Sequence, residues 1–341
     1  MTSLTEELAL LILETIKRSN HILLHCHPYP DPDSIGSVLA VSNILKSMGK
    51  KVTAIIGDTK YPRNLESLPN RDWIIQKKYS EIDTAQFDLF IILDSSSPSQ
   101  ISQLTGVAFP KTLKTIVIDH HKTNLGFGDI NLIDTNSSST SQVLYDLFNL
   151  WKVEINQDIA ICLLLGIYAD IGGFKYQNAN AETIKIASDL ARIYPNYHKF
   201  VFDLENYRQP VELEMMGMAL SSIEKHFSDR VVFSSITHEQ LQEHNISKES
   251  AMEGLIGSLL RSVVGWDLVA SLVEAEPNVV TVSLRTRDEN TFDVSKISKA
   301  VGIKGGGHKG AAGTTILLPI KEAKTELINK IGEIFPILGK C

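Results

Sequence analysis

The sequence predicts an α/β protein of two domains, the first of which is built on a parallel β-sheet. Three observations lead to this fold class. The chain has 341 residues, about twice the roughly 150 residues of an average domain. Strand-like and helix-like segments alternate over the first 150 residues, as they do in βαβ units. Beyond residue 226 a further set of strands and helices begins, which indicates a second unit.

The strand-like segments of the first half are short and apolar throughout, which is typical of strands buried on both faces of a parallel sheet. The segments between them are longer and have helical periodicity. Gly49 follows one of these segments, at a position where helices commonly end. The predicted strands are 22–24, 52–56, 89–93 and 115–118, and the predicted helices are 4–18, 34–48, 139–150, 157–170 and 180–193.

The second half begins with a segment rich in Met and Leu at 212–226, which we interpret as a connector helix. Pro210 precedes it and suits a helix start. We expect a first domain at 1–195, a linker with the connector helix at 196–226, and a smaller α/β domain at 227–341. The strands predicted in that domain are 230–236, 267–274 and 279–285, and the helices are 252–263 and 321–334.

Composition and charge narrow the class of protein. The chain is 43% hydrophobic and 21% charged, as a folded globular protein is, rather than a disordered or fibrous one. Its net charge of −7 argues against a coat for long nucleic acids or a partner for duplex DNA, because such proteins need a basic face. Any nucleotide would be bound locally.

The sequence also bears on the cellular compartment. Its most apolar stretch, 159–169, is too short to span a bilayer, and its N-terminus is acidic, unlike a secretory signal. Cys26, Cys162 and Cys341 lie far apart and form neither a disulfide framework nor a CxxC motif. We therefore expect a cytoplasmic protein that has no membrane partner.

Ionisable residues follow three of the predicted strands. In an open parallel sheet, the crevice at the carboxyl ends of the strands is where ligands bind. Asp170, which ends the apolar segment 159–169, can face the same crevice. The residues at the strand ends are His27, Asp31 and Asp33 after the first strand, Asp94 after 89–93, and Asp119, His120 and His121 after 115–118.

Several carboxylates in one crevice require a nearby positive charge. Two of them at ~5 Å would repel by about 3 kcal/mol at an effective dielectric near 20. No Lys or Arg lies within 25–37 or 94–104, so divalent metal ions are the better source of compensation. Asp oxygens and His nitrogens without thiolates suit Mn²⁺ or Mg²⁺, and imidazole favours Mn²⁺. A pair of ions would explain the number of ligands.

Each residue also has a simpler explanation when it is taken alone. Asp31 or Asp33 could be a turn residue in a loop with three prolines. Asp94 could cap a helix. His120 and His121 could be histidines satisfied within the core. None of these explanations predicts His and Asp together at the end of every strand, which favours the metal hypothesis.

Four groups of these residues resemble the motifs of the DHH phosphoesterase family. They are His27-x-x-Pro30-Asp31-x-Asp33-x-x-Gly36-Ser37, Asp94, Asp119-His120-His121, and Gly166-Ile167-x-x-Asp170-x-Gly172-x-Phe174. A fifth group resembles the motif of the DHHA1 domain that follows in one branch of the family. It is Gly305-Gly306-Gly307-His308-Lys309-Gly310-Ala311-Ala312-Gly313.

The resemblance implies a Rossmann-like DHH domain, a DHHA1 domain, and a hydrolase of phosphate esters that uses two divalent ions. Mn²⁺ is the ion expected from the donor set, and Mg²⁺ is the alternative. His121 would face the substrate, and Asp119 would orient a neighbouring imidazole. By resemblance, one ion would be held by His27, Asp31 and Asp94, and the other by Asp33, Asp94, His120 and Asp170.

In the second domain, the resemblance implies substrate contacts from Arg285, Gly305, Gly306, Gly307 and His308. A glycine run by itself is weak evidence and could be a flexible loop, and an isolated Arg is often solvated. Here the run stands beside His308, so backbone N–H groups and side chains could approach a phosphate closely.

The expected substrates are short RNA oligonucleotides or small nucleotides. Within the family, the chain is similar to oligoribonucleases of short RNA that also convert 3′-phosphoadenosine-5′-phosphate to AMP. A cyclic or linear dinucleotide phosphodiesterase is the alternative. A family II inorganic pyrophosphatase ranks low, because its second domain lacks the GGGH motif of residues 305–308. A non-catalytic nucleotide-binding or RNA-binding module also ranks low, and a homodimer is left open.

Overall fold

Six parallel strands form the sheet of the first unit, which runs from Met1 to Tyr207. The computed structural model describes residues 3–102, 107–252 and 255–339. The sheet has the order β3-β2-β1-β4-β5-β6 with every neighbouring pair parallel, which confirms the predicted fold class. Its strands are His21–His25 (β1), Lys51–Ile55 (β2), Ile74–Ile75 (β3), Leu89–Leu93 (β4), Lys114–Asp119 (β5) and Ile130–Ile133 (β6).

Six helices accompany this sheet in the described part of the first unit, and polar side chains set where several of them begin. The side chains of Ser139, Asn156 and Asn180 each accept the N–H three residues ahead, as N-cap residues do. The helices are Ser3–Arg18 (α1), Pro32–Ser47 (α2), Thr140–Leu150 (α3), Gln157–Asp170 (α4), Ala181–Ile193 (α5) and His198–Glu205 (α6).

Helices α2 and α4 pack so closely that a glycine is needed between them. A Cβ at Gly36 on α2 would overlap the backbone carbonyl oxygen of Cys162 on α4. Both helices bury aliphatic side chains such as Ile35 and Leu163 in one core. This packing matters for the site, because α2 begins just after Asp31 and α4 ends at Asp170.

The second unit, Arg208–Cys341, contains its own six-stranded sheet of order β11-β12-β10-β9-β8-β7. Neighbouring strands are antiparallel except β8 and β9, which are parallel. The strands are Glu224–His226 (β7), Val231–Ile236 (β8), Leu268–Glu276 (β9), Val279–Thr286 (β10), Ile303–His308 (β11) and Ala311–Ile316 (β12). The helices are Pro210–Ser221 (α7), His238–Glu243 (α8), Lys248–Ala251 (α9), Gly257–Leu260 (α10), Val294–Ala300 (α11) and Ile320–Ile334 (α12).

Helices cover both faces of this second sheet. Val282 and Leu284 of β10 pack with α11 and α12 on one face. Val269 of β9 packs with α7 and α10 on the other. Helix α6 packs in the first unit and α7 in the second. The linker expected at 196–226 stays a prediction.

Two predicted helices are wrong in extent. The helix expected at 212–226 ends at Ser221, and Glu224–His226 forms strand β7. The hydroxyl of Ser222 accepts the N–H of Ser235 (2.7 Å), which begins the pairing with β8. The helix expected at 252–263 is interrupted, because the N–H of Ile256 donates to the hydroxyl of Ser271 (3.2 Å) before α10 begins.

The glycine run 305–307 is part of strand β11 and not a loop. Gly306 pairs with Gly313 of β12, and Gly307 pairs with Ala312. A Cβ at Gly305 would overlap the carbonyl oxygen of Ser298 on α11, and Gly307 has a φ of 126° that side chains rarely adopt. Two of the three glycines are therefore required by the close fit of β11 between α11 and β12.

Cys26 and Cys162 are buried free thiols, and Cys341 lies outside the described residues. Among the helices that the structure describes, none is long and apolar enough to cross a membrane.

Asp146 on α3 borders a cavity of about 460 Å³ that Asp134 and Glu182 also line. Burial and the charges of Glu182 and Asp134 raise the pKa of Asp146 to about 6. A carboxyl group in the unfolded chain titrates near 4. The folded state therefore binds this proton more tightly than the unfolded state, and ionisation of Asp146 destabilises the fold.

As pH rises from about 4 to 7, ionisation of Asp146 should lower the free energy of unfolding of wild type. We predict that Asp146→Asn does not show this decrease. Below that range the carboxyl group is protonated in both states, so the two proteins should differ least there. Urea-unfolding midpoints across the range would measure this effect. Asp203→Asn, at an exposed position on α6, is the control, and a pH profile of Asp146→Asn parallel to that of wild type would contradict the prediction.

Candidate metal centre

The carboxyl ends of three adjacent strands supply most of the candidate site. Strands β1, β4 and β5 are neighbours in the sheet, so the segments that follow them lie side by side. The C-terminal end of α4 adds Asp170. The structure thus brings together all eight residues that the sequence predicted for the first domain.

These residues form three groups that could each hold a metal ion. Within a group, one potential ligand atom of each residue lies within 4.8 Å of the others. Asp94 belongs to two of the groups, and His120 belongs to two. The groups are His27, Asp31 and Asp94; Asp33, His120 and Asp170; and Asp94, Asp119, His120 and His121.

Asp94 lies between the groups, with one carboxylate oxygen turned towards each side. Its Oδ2 is 3.3 Å from Nε2 of His27. Its Oδ1 is 3.7 Å from both Nε2 of His120 and Nδ1 of His121. Such an arrangement would allow one carboxylate to serve two ions, as the sequence analysis expected for Asp94.

The donor set fits divalent metal ions. Asp33, Asp94 and Asp119 are buried, and no Lys or Arg of the described ranges forms an ion pair with any of them. Nε2 of His120 is buried and has no well-aligned hydrogen bond in this part of the chain, although Oδ2 of Asp170 is 3.2 Å away. Asp oxygens and imidazole nitrogens are ligands suited to Mn²⁺ and Mg²⁺.

The pKa values report the excess of negative charge. Burial and the charges of Asp94, Asp170 and Asp31 raise the pKa of Asp33 well above its usual range. Although burial lowers it, hydrogen bonds to Asp31 and Asp94 raise the pKa of His27 to about 11. The imidazole thus holds a proton beside the carboxylates. A metal ion would take the place of such protons, because histidine binds metals through a neutral imidazole.

Asp119 holds His121 in place rather than facing the centre of the cluster. Its Oδ1 accepts from the backbone N–H of His120 (2.8 Å) and lies 2.8 Å from Nδ1 of His121. This hydrogen bond raises the pKa of His121 to about 9 despite burial. The Nε2 atom of His121 is left to face outward on a side chain that is 39% exposed.

Asp33 is held by the first turn of α3. Its Oδ2 accepts the N–H of Thr140 (2.7 Å), and its Oδ1 accepts the N–H of Ser141 (2.9 Å). A Cβ at Gly166 on α4 would lie 2.6 Å from Oδ1 of Asp33 and would overlap the hydroxyl of Ser141. The glycine in the fourth sequence motif therefore makes room for this carboxylate.

Asn124 is a site residue that sequence reasoning missed. Its Nδ2 donates to the carbonyl of Ser95 (3.1 Å) and to Oδ2 of Asp119 (2.7 Å). It thereby ties the loop after β4 to the loop after β5. Asp94, the residue before Ser95, has a φ of 51°, which is strained for a residue with a side chain. The only signal for Asn124 was its place in the loop after His121.

Three of the predicted residues of the second unit, Arg285, Gly306 and His308, lie on one face of its sheet. Arg285 on β10 and His308 on β11 both pair with Ala311 on β12, so their side chains share a face. The neighbouring row consists of Ser283, which is buried beside Gly257 of α10, Gly313, and Gly306, which has open space beside it. Arg285 is half-buried and His308 is exposed. Burial and the charge of Arg261 lower the pKa of Arg285.

The fold and the site define an α/β protein with a cluster suited to divalent metals at the carboxyl edge of a parallel sheet. Residues 21–167 match the model of the DHH family, N-terminal domain. This match lies in the first unit and confirms the resemblance of its motifs to those of the DHH family.

The chain is similar over most of its length to proteins named bifunctional oligoribonuclease and PAP phosphatase NrnA. It is 29% identical to that of Thermus thermophilus, over 95% of this chain and 93% of the relative. It is 26% identical to that of Bacillus subtilis, over 89% and 92%. The chain is also 24% identical to the cyclic-di-AMP phosphodiesterase GdpP of Bacillus subtilis, of which it covers 49%.

A solved structure has the same fold. The crystal structure of an exopolyphosphatase-related protein from Bacteroides fragilis superposes with a TM-score of 0.87, at 23% identity, over 100% of both chains. At this identity the likeness concerns the fold alone.

We predict that Asp94→Ala abolishes tight binding of divalent metal ions and, with it, hydrolysis. Asp94 reaches His27 with one oxygen and His120 with the other, so its loss should damage both groups, whereas Asp31→Ala or Asp170→Ala should damage one. Mn²⁺ titrations followed by EPR, with circular dichroism to check folding, would measure the effect. Asp203→Ala is the matched control at an exposed carboxylate. Undiminished Mn²⁺ binding by folded Asp94→Ala, or hydrolysis by wild type in excess chelator, would contradict the prediction.

Proposed function

We propose that this protein is a metal-dependent phosphoesterase that hydrolyses short oligoribonucleotides, 3′-phosphoadenosine-5′-phosphate, or both. The observation that carries the proposal is the position of Asp94, whose two oxygens face two separate groups of Asp and His. Paired metal sites of this kind suit the displacement of a phosphate ester. The names of the NrnA relatives support the same substrate class.

The cluster would hold two ions, for which Mn²⁺ fits best and Mg²⁺ is the alternative. Imidazole nitrogens among the donors favour Mn²⁺ over Mg²⁺. When bound, divalent ions polarise phosphoryl oxygens and make water a better nucleophile. The proposed ligands are His27, Asp31 and Asp94 for one ion, and Asp33, Asp94, His120 and Asp170 for the other.

His121 would supply the proton that the leaving oxygen needs. Its Nδ1 is engaged by Asp119, so the exposed Nε2 is the atom available to substrate. The carboxylate of Asp119, 2.8 Å from Nδ1, favours the protonated form of the ring. A protonated imidazole held in a fixed orientation can contact the phosphate and act as a general acid.

The second unit would contribute contacts to the nucleotide part of the substrate. Arg285 offers a guanidinium group with only one hydrogen bond among the described residues, to the carbonyl of Leu284, so donors remain for phosphate oxygens. His308 lies across Ala311 on the same sheet face. The backbone exposed at Gly306 would let a nucleotide approach the sheet closely.

Two other functions are open to test. A cyclic or linear dinucleotide phosphodiesterase would use the same ligands, and the similarity to GdpP favours it as the second candidate. A non-catalytic nucleotide-binding or RNA-binding module would not need a bridging carboxylate with a His on each side, which argues against that function.

We predict a preference for RNA of about two to five nucleotides and only a shallow dependence on salt, because the acidic chain offers no long basic track for phosphates. Initial rates with Mn²⁺ should be compared for 3′-phosphoadenosine-5′-phosphate, linear and cyclic dinucleotides, pyrophosphate, and RNA of roughly two dozen nucleotides at two salt concentrations. Faster, processive degradation of the longest RNA would overturn the proposal. Activity confined to cyclic dinucleotides would establish the second candidate instead.

We predict that Arg285→Ala and His308→Ala impair nucleotide substrates far more than bis-p-nitrophenyl phosphate, a generic phosphodiester. Removal of one charge-assisted hydrogen bond to the substrate should cost about 1.5–3 kcal/mol, or roughly one to two decades in kcat/KM. Arg192→Ala, which breaks a surface ion pair with Asp189 on α5, is the control. Equal defects on both substrate types would place Arg285 and His308 in the chemical step.

A further inference from the structure

The first turn of α3 faces two buried carboxylates of the site, Asp33 and Asp94. A helix begins with backbone N–H groups that have no partner within the helix. In α3 these are accounted for by two acceptors. The N–H groups of Thr140 and Ser141 donate to Asp33, and that of Gln142 donates to the hydroxyl of Ser139 (3.1 Å). Asp33 therefore caps a helix more than 100 residues away in sequence.

Thr140 makes a second contact, to the other carboxylate. Its hydroxyl donates to Oδ1 of Asp94 (3.1 Å), while its N–H donates to Oδ2 of Asp33 (2.7 Å). Thr140 is fully buried. A single residue thus binds the carboxylate that lies between the two groups and a carboxylate that belongs to only one of them.

This contact bears on the rotation of the Asp94 carboxylate. The Oδ1 atom that accepts from Thr140 is the same atom that lies 3.7 Å from His120 and His121. The hydroxyl of Thr140 therefore fixes which oxygen faces which group. Asp94 also has a strained backbone, with a φ of 51°. Such a conformation persists only where neighbouring groups hold the residue in place.

We infer that Thr140 is a positioning residue for the metal centre, which orients Asp94 through its hydroxyl and Asp33 through its backbone N–H. This inference rests on the proposed function for its meaning in catalysis, but the role in metal binding stands on the geometry. Carboxylate ligands are generally oriented by hydrogen bonds from neighbouring groups, and the loss of one such partner typically weakens metal affinity 10- to 100-fold.

The test compares two substitutions that separate the hydroxyl from the shape of the side chain. Thr140→Val keeps the branched side chain and the backbone N–H but removes the donor to Asp94. Thr140→Ser keeps the hydroxyl and loses the methyl group. Thr183→Val is the matched control, because Thr183 is also buried and its hydroxyl donates to Oε1 of Gln142 (2.9 Å), away from the Asp side chains.

Mn²⁺ binding by EPR and melting temperature are measured for each variant, and kcat and KM for the substrate that wild type prefers. We expect Thr140→Val to bind Mn²⁺ about 10- to 100-fold more weakly and to lose kcat with little change in KM. Thr140→Ser should bind nearly as wild type does. Thr183→Val should lower the melting temperature as much as Thr140→Val does but leave Mn²⁺ binding intact.

Three results would overturn the inference. They are wild-type Mn²⁺ affinity in Thr140→Val, an equal defect in Thr140→Ser, and an equal defect in Thr183→Val. If wild type hydrolyses none of the phosphate esters offered but Mn²⁺ binding still depends on the Thr140 hydroxyl, the proposed function fails and the positioning role of Thr140 is retained.

Discussion

Repulsion among buried carboxylates at one edge of the first sheet is the constraint on which the arrangement of this unit depends. Asp33 and Asp119 are fully buried and Asp94 is nearly so. Burial alone disfavours an ionised carboxylate, and like charges nearby add to that cost. Hydrogen-bond donors of a different kind offset this cost at each carboxylate. Asp33 accepts two backbone N–H groups of α3, and Asp94 accepts the hydroxyl of Thr140. Asp119 accepts a hydrogen bond from Asn124 and pairs with the ring of His121.

The same constraint explains where the fold uses glycine. Gly36 allows α2 to lie against the backbone of α4, and Gly166 leaves the space that Asp33 and Ser141 occupy. A side chain at Gly36 would push α2 away from α4, and a side chain at Gly166 would displace Asp33 and Ser141. These glycines therefore act through the distance between helices and not through unusual backbone angles, since neither has a positive φ.

The sequence was most informative where a strand is buried on both faces. Strands β1, β4 and β5 are continuous apolar runs, so their ends could be located and the residues after them grouped correctly. Strand β6 was missed, because it is a four-residue edge strand with alternating burial. Without β6, the segment leading to Thr140 had no place in the sheet, and its contacts to Asp33 and Asp94 could not be foreseen. Hydrogen bonds between residues so distant in sequence leave no local pattern.

Strand β11 was missed because its sequence does not resemble a strand. Three glycines in succession have low strand propensity. The strand nevertheless forms, and the close approach of α11 and β12 leaves no room for a larger residue at Gly305 or Gly307. Of the three, Gly306 has open space where a Cβ would stand, and it lies opposite Gly313 on the face that carries His308. Packing therefore explains Gly305 and Gly307, whereas the proposed approach of a nucleotide to the backbone would explain Gly306.

Backbone and side-chain donors of the protein itself hold Asp33, Asp94 and Asp119 in their orientations. Each oxygen of Asp33 accepts one N–H group and retains a second lone pair, since a carboxylate oxygen has two. The helix α3 thus stabilises the charge of Asp33 without using up its capacity as a ligand. Carboxylates oriented by the protein in this way would bind metal ions with little reorganisation, which leaves binding energy available for chemistry rather than for ordering the protein.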